Sequence, residues 1–308
     1  MIIRLEEPRD WRGTETLVRE AFWNLYRPGC TEHFVLHRYR TDPAFVPELD
    51  FVLEEDDRLA GQVMFSKASL ETAGGGTFPV WTFGPLSVHP DFQRRGLGLA
   101  LLNHALEAAE KLGVGAVCME GNLDFYRHAG FDVARKLHLR YNDEPADADV
   151  PYFLARELVP GFLDGIEGTY RTPRGYFAAD EDPAGFAAFE ATFPKKAKVL
   201  RPGQLPQFCQ SCGMPLASEG DCGTDADGKT DFDYCKLCRS GGRFLQNCTM
   251  EGMIEHCVRF LDEENKHLPV PLTEAQYRER MRAFFPMLKR WRAVCPVPET
   301  AREGETVP

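Results

Sequence analysis

The spacing of apolar positions changes several times along the first two thirds of the chain, and each change marks an element. Residues 2–6 alternate weakly and predict an edge strand. Behind Asp10, a residue type suited to capping, Leu17, Val18, Ala21, Phe22 and Leu25 recur at helical spacing. They predict a helix to about Tyr26, stopped by Pro28-Gly29. A second short helix is expected from Thr31 to about Arg40. Strands follow near 50–55 and 59–70, separated by the turn Asp56-Asp57, and Gly74-Gly75-Gly76 reads as a loop tip. Pro79 to Val88 predicts the central strand, and Leu97 to Leu112 a long helix. The continuous apolar run Gly113 to Met119 predicts a strand buried on both faces in a parallel pairing. Tyr126–Ala129 reads as a short helix, Phe131 to about Leu139 as a strand, and Tyr152 to Leu158 as another strand with a turn-rich continuation to Tyr170.

The junction between the central strand and the long helix, Gln93-Arg94-Arg95-Gly96-Leu97-Gly98, carries the first chemistry. A helix start leaves backbone N–H groups without intrahelical partners, and the helix dipole favours an anion there. Gly96 and Gly98 let the backbone approach a phosphate closely, and Arg94 and Arg95 add positive charge. A tight packing turn would use the same glycines. A dinucleotide fingerprint would want a third glycine at Leu101. The hexapeptide instead resembles the Gln/Arg-x-x-Gly-x-Gly/Ala motif of the GNAT acetyltransferase superfamily. Asn122-Leu123-Asp124-Phe125-Tyr126-Arg127-His128-Ala129-Gly130-Phe131 resembles that superfamily's second signature.

The resemblance implies an α/β (α+β) fold of element order β-α-α-β-β-β-α-β-α-β, with a mixed central sheet whose parallel strands at 82–88 and 114–120 splay apart. It implies that the pantetheine arm of acetyl-CoA lies in that gap against the backbone of Leu86, Ser87 and Val88. The pyrophosphate would sit on Gln93, Arg94, Arg95, Gly96, Leu97, Gly98 and Leu99, and Asn122 would touch the pantetheine. Tyr126 would be the general acid, donating to the leaving thiolate. A phenol with an ordinary pKa of about 10 stays protonated at neutral pH and can donate to a thiolate of about 8.5. No carboxylate lies between Val80 and Val88 to serve as base, which leaves Glu32, His33, Glu120, Asp91 or a chain of waters. The run Cys30-Thr31-Glu32-His33 falls in the segment that lines the acceptor pocket of that superfamily. His33 and His37 stand one turn apart without a third metal ligand.

Composition divides the chain. Its 308 residues are long enough for about two domains, and 43% hydrophobic residues supply a packed core. A net charge of −11 gives no reason to expect a polyanion partner. No apolar run reaches the length of a membrane span, and Met1 to Glu7 turns acidic without a signal-peptide core; a cytoplasmic location is expected. Eight of the ten cysteines follow residue 200, which in a reducing compartment argues for metal before disulfides. Cys209-x2-Cys212 and Cys235-x2-Cys238 are separated by 22 residues and form two knuckles, with Gly213 permitting the first turn. Four thiolates fit a closed tetrahedral zinc site of structural kind. The segment resembles a bacterial zinc-ribbon family through Cys209-Gln210-Ser211-Cys212-Gly213-Met214-Pro215-Leu216, Gly223 to Gly228, Asp233-Tyr234-Cys235 and Thr249 to Ile254. Cys222, Cys248 and Cys257 are read as spare thiols. The Asp225–Asp233 run lacks the twelfth-position Glu of a calcium loop and reads as a solvated turn.

Helices are expected from about Thr249 to Asn265 and from Thr273. The second carries a basic stretch, Arg278 to Arg292, read as a charged face packed on the ribbon. Residues 205–308 hold 13 basic against 16 acidic side chains, which disfavours nucleic acid. The expected organisation is an acyltransferase domain over 1–200 with a C-terminal extension, a linker at 201–206, a zinc-ribbon domain with trailing helices over 207–295, and a tail at 296–308. The expected activity is acetyl transfer from acetyl-CoA to a primary amine of a small molecule or protein, with no membrane partner and with homodimer formation left open. The alternative is an acyl-CoA-sensing protein whose ribbon contacts protein or nucleic acid.

Overall fold

The computed structural model describes residues 1–142, 144, 148–199, 207–266 and 271–292. The predicted linker 201–206, the tail 296–308 and Cys295 lie outside the described residues, as does part of the acidic loop at 142–149. The chain divides into two compact units, one of residues 1–198 and one beginning at Val199.

In the first unit the chain forms β1 (Ile2–Leu5), α1 (Trp11–Phe22), α2 (Glu32–Tyr39), β2 (Phe51–Glu55), β3 (Arg58–Thr72), β4 (Thr77–Val88), α3 (Leu97–Lys111), β5 (Ala116–Glu120) and α4 (Leu123–Tyr126). It continues through β6 (Asp132–Val133), β7 (Leu139–Tyr141), β8 (Phe153–Glu157), β9 (Gly168–Tyr170), α5 (Ala178–Glu181) and α6 (Pro183–Glu190). One mixed sheet runs β1-β2-β3-β4-β5-β8-β6, and β9 pairs with β3 and β7. Strand alternation assigns its faces. Val63, Phe65, Phe83, Val117 and Met119 pack with Leu101, Leu102, Ala105 and Leu106 of α3. Met64 packs on the other face with Val18, Val35, Leu36 and Tyr39 of α1 and α2, and Ala116 and Cys118 also leave the α3 side. The buried stripe of α3 returns every three or four residues, and each fully buried Leu contributes roughly 1.5–3 kcal/mol.

Several local expectations are corrected. α1 ends at Phe22, four residues short of Tyr26, because Trp23 Nε1 donates to the Ala197 carbonyl at 2.9 Å and Asn24 turns left-handed (φ 56°) to accept from Gly29 N–H. Asp10 precedes α1 without bonding its first turn; its carboxylate instead accepts from Arg4 and from Glu7 N–H. The strand expected over 131–139 is split. Ala134–Leu137 forms a 3-10 turn whose Ala134 and Leu137 pack on one side, and His138 (φ 59°) reverses the chain into β7. The place beside β5 is taken by β8, paired antiparallel along the whole of β5 from Ala116↔Glu157 to Glu120↔Phe153.

The second unit contains β10 (Gln207–Phe208), β11 (Pro215–Leu216), β12 (Cys222–Thr224), β13 (Thr230–Cys235), β14 (Arg239–Ser240) and β15 (Arg243–Phe244), then α7 (Met250–Val258), α8 (Leu261–Asn265) and α9 (Glu274–Phe284). The helix expected over 249–265 is thus two helices. Met253, Ile254 and Cys257 of α7 and Tyr277 and Met281 of α9 share a core with Cys209, Leu216, Tyr234, Cys235 and Cys238. Thr273 and Gln276 form a capping box at the start of α9. The basic stretch is paired: Arg278 with Glu255 and Glu274, Arg282 with Glu251, and Lys289 with Asp233. Asp225 Oδ1 accepts from the N–H groups of Asp227 and Lys229, closing a solvated turn.

Candidate active site and metal centre

The sheet opens where sequence and register disagree. β3 and β4 pair with Val63 opposite Leu86 and Phe65 opposite Phe83, so Met64 alone faces Gly84 and Pro85. This bulge bends β4 away from its neighbour, and Gly84 (φ 148°) takes a conformation that side chains rarely tolerate. On its other side β4 pairs with the parallel β5 only at Trp81↔Val117. Beyond that pair Leu86, Ser87 and Val88 remain bound to β3, while their edge toward β5 carries no ladder. The two parallel strands therefore diverge toward their C-terminal ends, as expected for the splayed pair.

The loop after β4 leads directly to the start of α3. Gln93 Nε2 donates to the Val88 carbonyl at 3.0 Å and ties the loop back to the strand. Arg94 (φ 61°) and Gly96 (φ 79°) both turn left-handed, and the first helical bond is Ala100 N–H to the Gly96 carbonyl. The N–H groups of Leu97, Gly98 and Leu99 consequently lack an intrahelical acceptor. Arg95 lies over the Phe92 ring and pairs with Glu55 at 3.1 Å. A Cβ at Gly98 would stand 3.3 Å from Val88 and 3.6 Å from the Phe125 ring, so the helix start is packed against both β4 and α4.

Asn122 caps α4 by accepting from Asp124 N–H at 2.9 Å. Tyr126, one turn on, packs among Phe83, Phe125 and Phe131 on the α3 side of the sheet. Burial, with a smaller contribution from Tyr26, pushes its phenol well above the ordinary range, so it stays protonated. The sites predicted as acceptor-side bases lie elsewhere. His33 is fully buried: its Nε2 meets Glu190 at 2.8 Å and its Nδ1 meets Cys30 Sγ at 3.5 Å. Arg19 joins the same carboxylate, so this cluster fastens α6 to α1 and α2. Burial raises the Cys30 thiol, which stays protonated there. Glu32 accepts from Thr31 N–H beside it, and Asp91 pairs with Arg58 at 3.0 Å. Sequence reasoning missed Thr172 and Tyr176, which come from the extension and face the splay from the α1–α2 side; no periodicity marks them.

In the second unit one ligand atom from each of Cys209, Cys212, Cys235 and Cys238 lies within 4.8 Å of the other three. Cys212 Sγ and Cys235 Sγ are 3.8 Å apart. A tetrahedron of Zn–S bonds near 2.3 Å has an edge of about 3.8 Å, so this donor set fits Zn(II). The knuckles are built by backbone bonds. Gly213 N–H donates to the Cys209 carbonyl and Cys238 N–H to the Cys235 carbonyl, while Cys235 N–H donates to Cys209 Sγ at 3.2 Å. With all four positions filled by protein, a bound ion would be structural. Cys222, Cys248 and Cys257 lie outside this set; Cys257 Sγ donates to the Cys212 carbonyl. Among the described residues no helix is long and apolar enough to cross a membrane.

Residues 19–131 match the model of the acetyltransferase (GNAT) family, and residues 208–292 match a zinc ribbon domain family. The Escherichia coli (strain K12) protein described as an uncharacterized N-acetyltransferase, YhbS, is 26% identical over 170 residues, spanning 54% of this chain and 93% of that protein. Among solved structures, YhbS in complex with CoA is 24% identical (TM-score 0.49), covering 57% of this chain and 91% of that one. A Brucella melitensis GNAT acetyltransferase in complex with acetyl-CoA is 23% identical (TM-score 0.45), covering 57% and 97%. The strand splay, the Gln93–Gly98 loop and the four-cysteine cluster agree with the two family matches, a GNAT acetyltransferase domain over residues 19–131 of the first unit and a zinc ribbon domain over 208–292 of the second.

Proposed function

We propose that this protein is an N-acetyltransferase that moves an acetyl group from acetyl-CoA to a primary amine by direct attack. Residues 1–200 would form the catalytic domain and 207–295 the zinc-stabilised domain; the boundary between compact units near 198 supports that division. The observation that carries the reading is the convergence of three parts. The unladdered edge of β4 and the free N–H groups opening α3 meet through the Val88–Gly98–Phe125 contact, and Tyr126 follows Phe125 on α4 with its ring 4.9 Å away. Backbone groups of Leu86, Ser87 and Val88 hold the pantetheine amides and polarise the acyl carbonyl. The helix start with Gln93, Arg94, Arg95, Gly96, Leu97, Gly98 and Leu99 takes the pyrophosphate, and Asn122 flanks the arm. Tyr126, kept neutral by burial, gives its proton to the departing thiolate.

Calorimetric titration with acetyl-CoA tests the cradle. Wild type is expected to bind, and Gly98→Trp to lose binding, because its indole meets Val88 and Phe125 where the phosphate must approach. Absence of binding by the wild type would overturn the acyltransferase reading.

A further inference from the structure

An acyl transfer also needs a group that takes a proton from the attacking amine, on the side of the acyl carbon opposite the leaving sulfur. Strand register identifies that side. Gly84 and Glu120 each lie three residues beyond the last β4–β5 pair, Trp81↔Val117, and so face one another across the splay. Met119 points to the α3 face with Tyr126, and alternation sends Glu120 to the opposite face, with Cys118. That face is closed by the extension. Thr172 Oγ1 donates to Glu120 Oε1 at 2.7 Å. The Tyr176 ring lies against the bulge, its Oη 3.6 Å from where a Gly84 Cβ would stand.

The same face carries unmet hydrogen-bonding capacity. Tyr39 Oη, Ser66 Oγ and Tyr176 Oη are buried with no hydrogen-bond partner among the described residues, although Tyr39 and Ser66 are 1% and 0% exposed. The Tyr39 and Tyr176 rings pack 5.1 Å apart, and the Ser66 hydroxyl lies close to both phenols without meeting either at hydrogen-bond geometry. An unpaired buried hydroxyl costs roughly 1–3 kcal/mol, which is a reason to expect a polar ligand to meet it. Burial raises both phenols, so they are neutral donors. Glu120 is exposed at the end of β5, and among the described residues no cation pairs with it. Besides Thr172, the phenols of Tyr141, Tyr152, Tyr170 and Tyr176 lie near enough to feel its charge.

We propose that the C-terminal extension completes the acceptor side of the transfer centre, with Glu120 as the general base and Thr172 as the residue that positions it. The inference rests on the acyltransferase reading above. As the amine nitrogen bonds to the acyl carbon, one of its protons passes to a Glu120 carboxylate oxygen. The carbon–sulfur bond breaks and the thiolate takes the Tyr126 proton. The proton on Glu120 returns through solvent to the Tyr126 phenolate, so both residues are restored. The acceptor is thereby a primary amine whose ammonium form the Glu120 carboxylate also attracts.

The test uses the full chain and acetyl-CoA, with free thiol release followed by a thiol reagent. The nucleophile is either water or a pool of propylamine, tyramine, putrescine and an Ala-Lys dipeptide. Glu120→Gln is expected to lower kcat about 10²–10⁴-fold with acetyl-CoA affinity unchanged within twofold. Thr172→Val is expected to lower kcat rather than raise KM, with Thr172→Ser restoring most of it. Wild-type rates in Glu120→Gln, or a wild type that binds acetyl-CoA yet releases no thiol with either nucleophile, would overturn the base assignment alone. A wild type that does not bind acetyl-CoA would overturn the acyltransferase reading and this inference with it.

Discussion

The junction between α6 and the first two helices makes a quantitative prediction at Glu190. Its carboxylate bonds Arg19, which is 2% exposed, and fully buried His33, while its own side chain is 21% exposed. Burial alone would raise the Glu190 pKa, but the hydrogen bonds from His33 and Arg19 outweigh it and lower the group from 4.5 to about 2. A difference of about 2.5 pKa units at 1.36 kcal/mol each corresponds to ~3.4 kcal/mol, which partial solvent screening reduces to ~2–3 kcal/mol. Because the folded-state value is depressed, this stability is present above pH 4.5 and is lost as the pH falls toward 2. Glu190→Gln removes the charge and leaves the Arg19 guanidinium buried without a counterion. Urea denaturation at pH 7, followed by tryptophan fluorescence, is expected to show a loss of ~2–3 kcal/mol. Trp23 makes a suitable reporter, since Arg19 lies 4.2 Å from its ring. Amide hydrogen exchange should show the loosening at residues 186–191 first. The difference from wild type should shrink between pH 4.5 and 2. A change below ~0.5 kcal/mol at pH 7, or one independent of pH over that window, would refute an ionic clamp.

The other predictions concern chemistry and metal. Tyr126→Phe is expected to lower kcat about 10²–10⁴-fold with unchanged acetyl-CoA affinity in calorimetry; an unchanged kcat would deny the phenol its role. Elemental analysis is expected to find one zinc per chain. Cys235→Ser, or chelator treatment, is expected to remove the zinc and unfold the second unit, whose core contains the cysteines themselves, while the acetyl-CoA affinity of the first unit persists. Retention of the second unit's circular dichroism without zinc would assign its stability to the α7–α9 packing instead.

What the sequence determined was local and periodic. The Gln93–Gly98 loop, the apolar stripe of α3 and the two Cys-x2-Cys knuckles are each specified by residues a few positions apart, where backbone geometry alone fixes the outcome. The Asp56-Asp57 turn is of the same kind, with both residues left-handed as the hairpin demands. Element ends were less legible. α1 stops at Phe22 because Ala197, more than 170 positions away, draws Trp23 out of the helix. Only the tertiary structure decided that β8 rather than β6 lies beside β5, since an apolar strand carries no mark of its partner. The same holds for His33, which reads in sequence as an acceptor-pocket base beside Glu32 but is committed to Glu190 by the packing of α6. Glu120 and Thr172 are separated by 52 positions, and no spacing rule joins them; the sheet register and the path of the extension bring them to 2.7 Å. Short-range patterns fix which groups exist and how each turn is built, while long-range pairing decides which of those groups share a site.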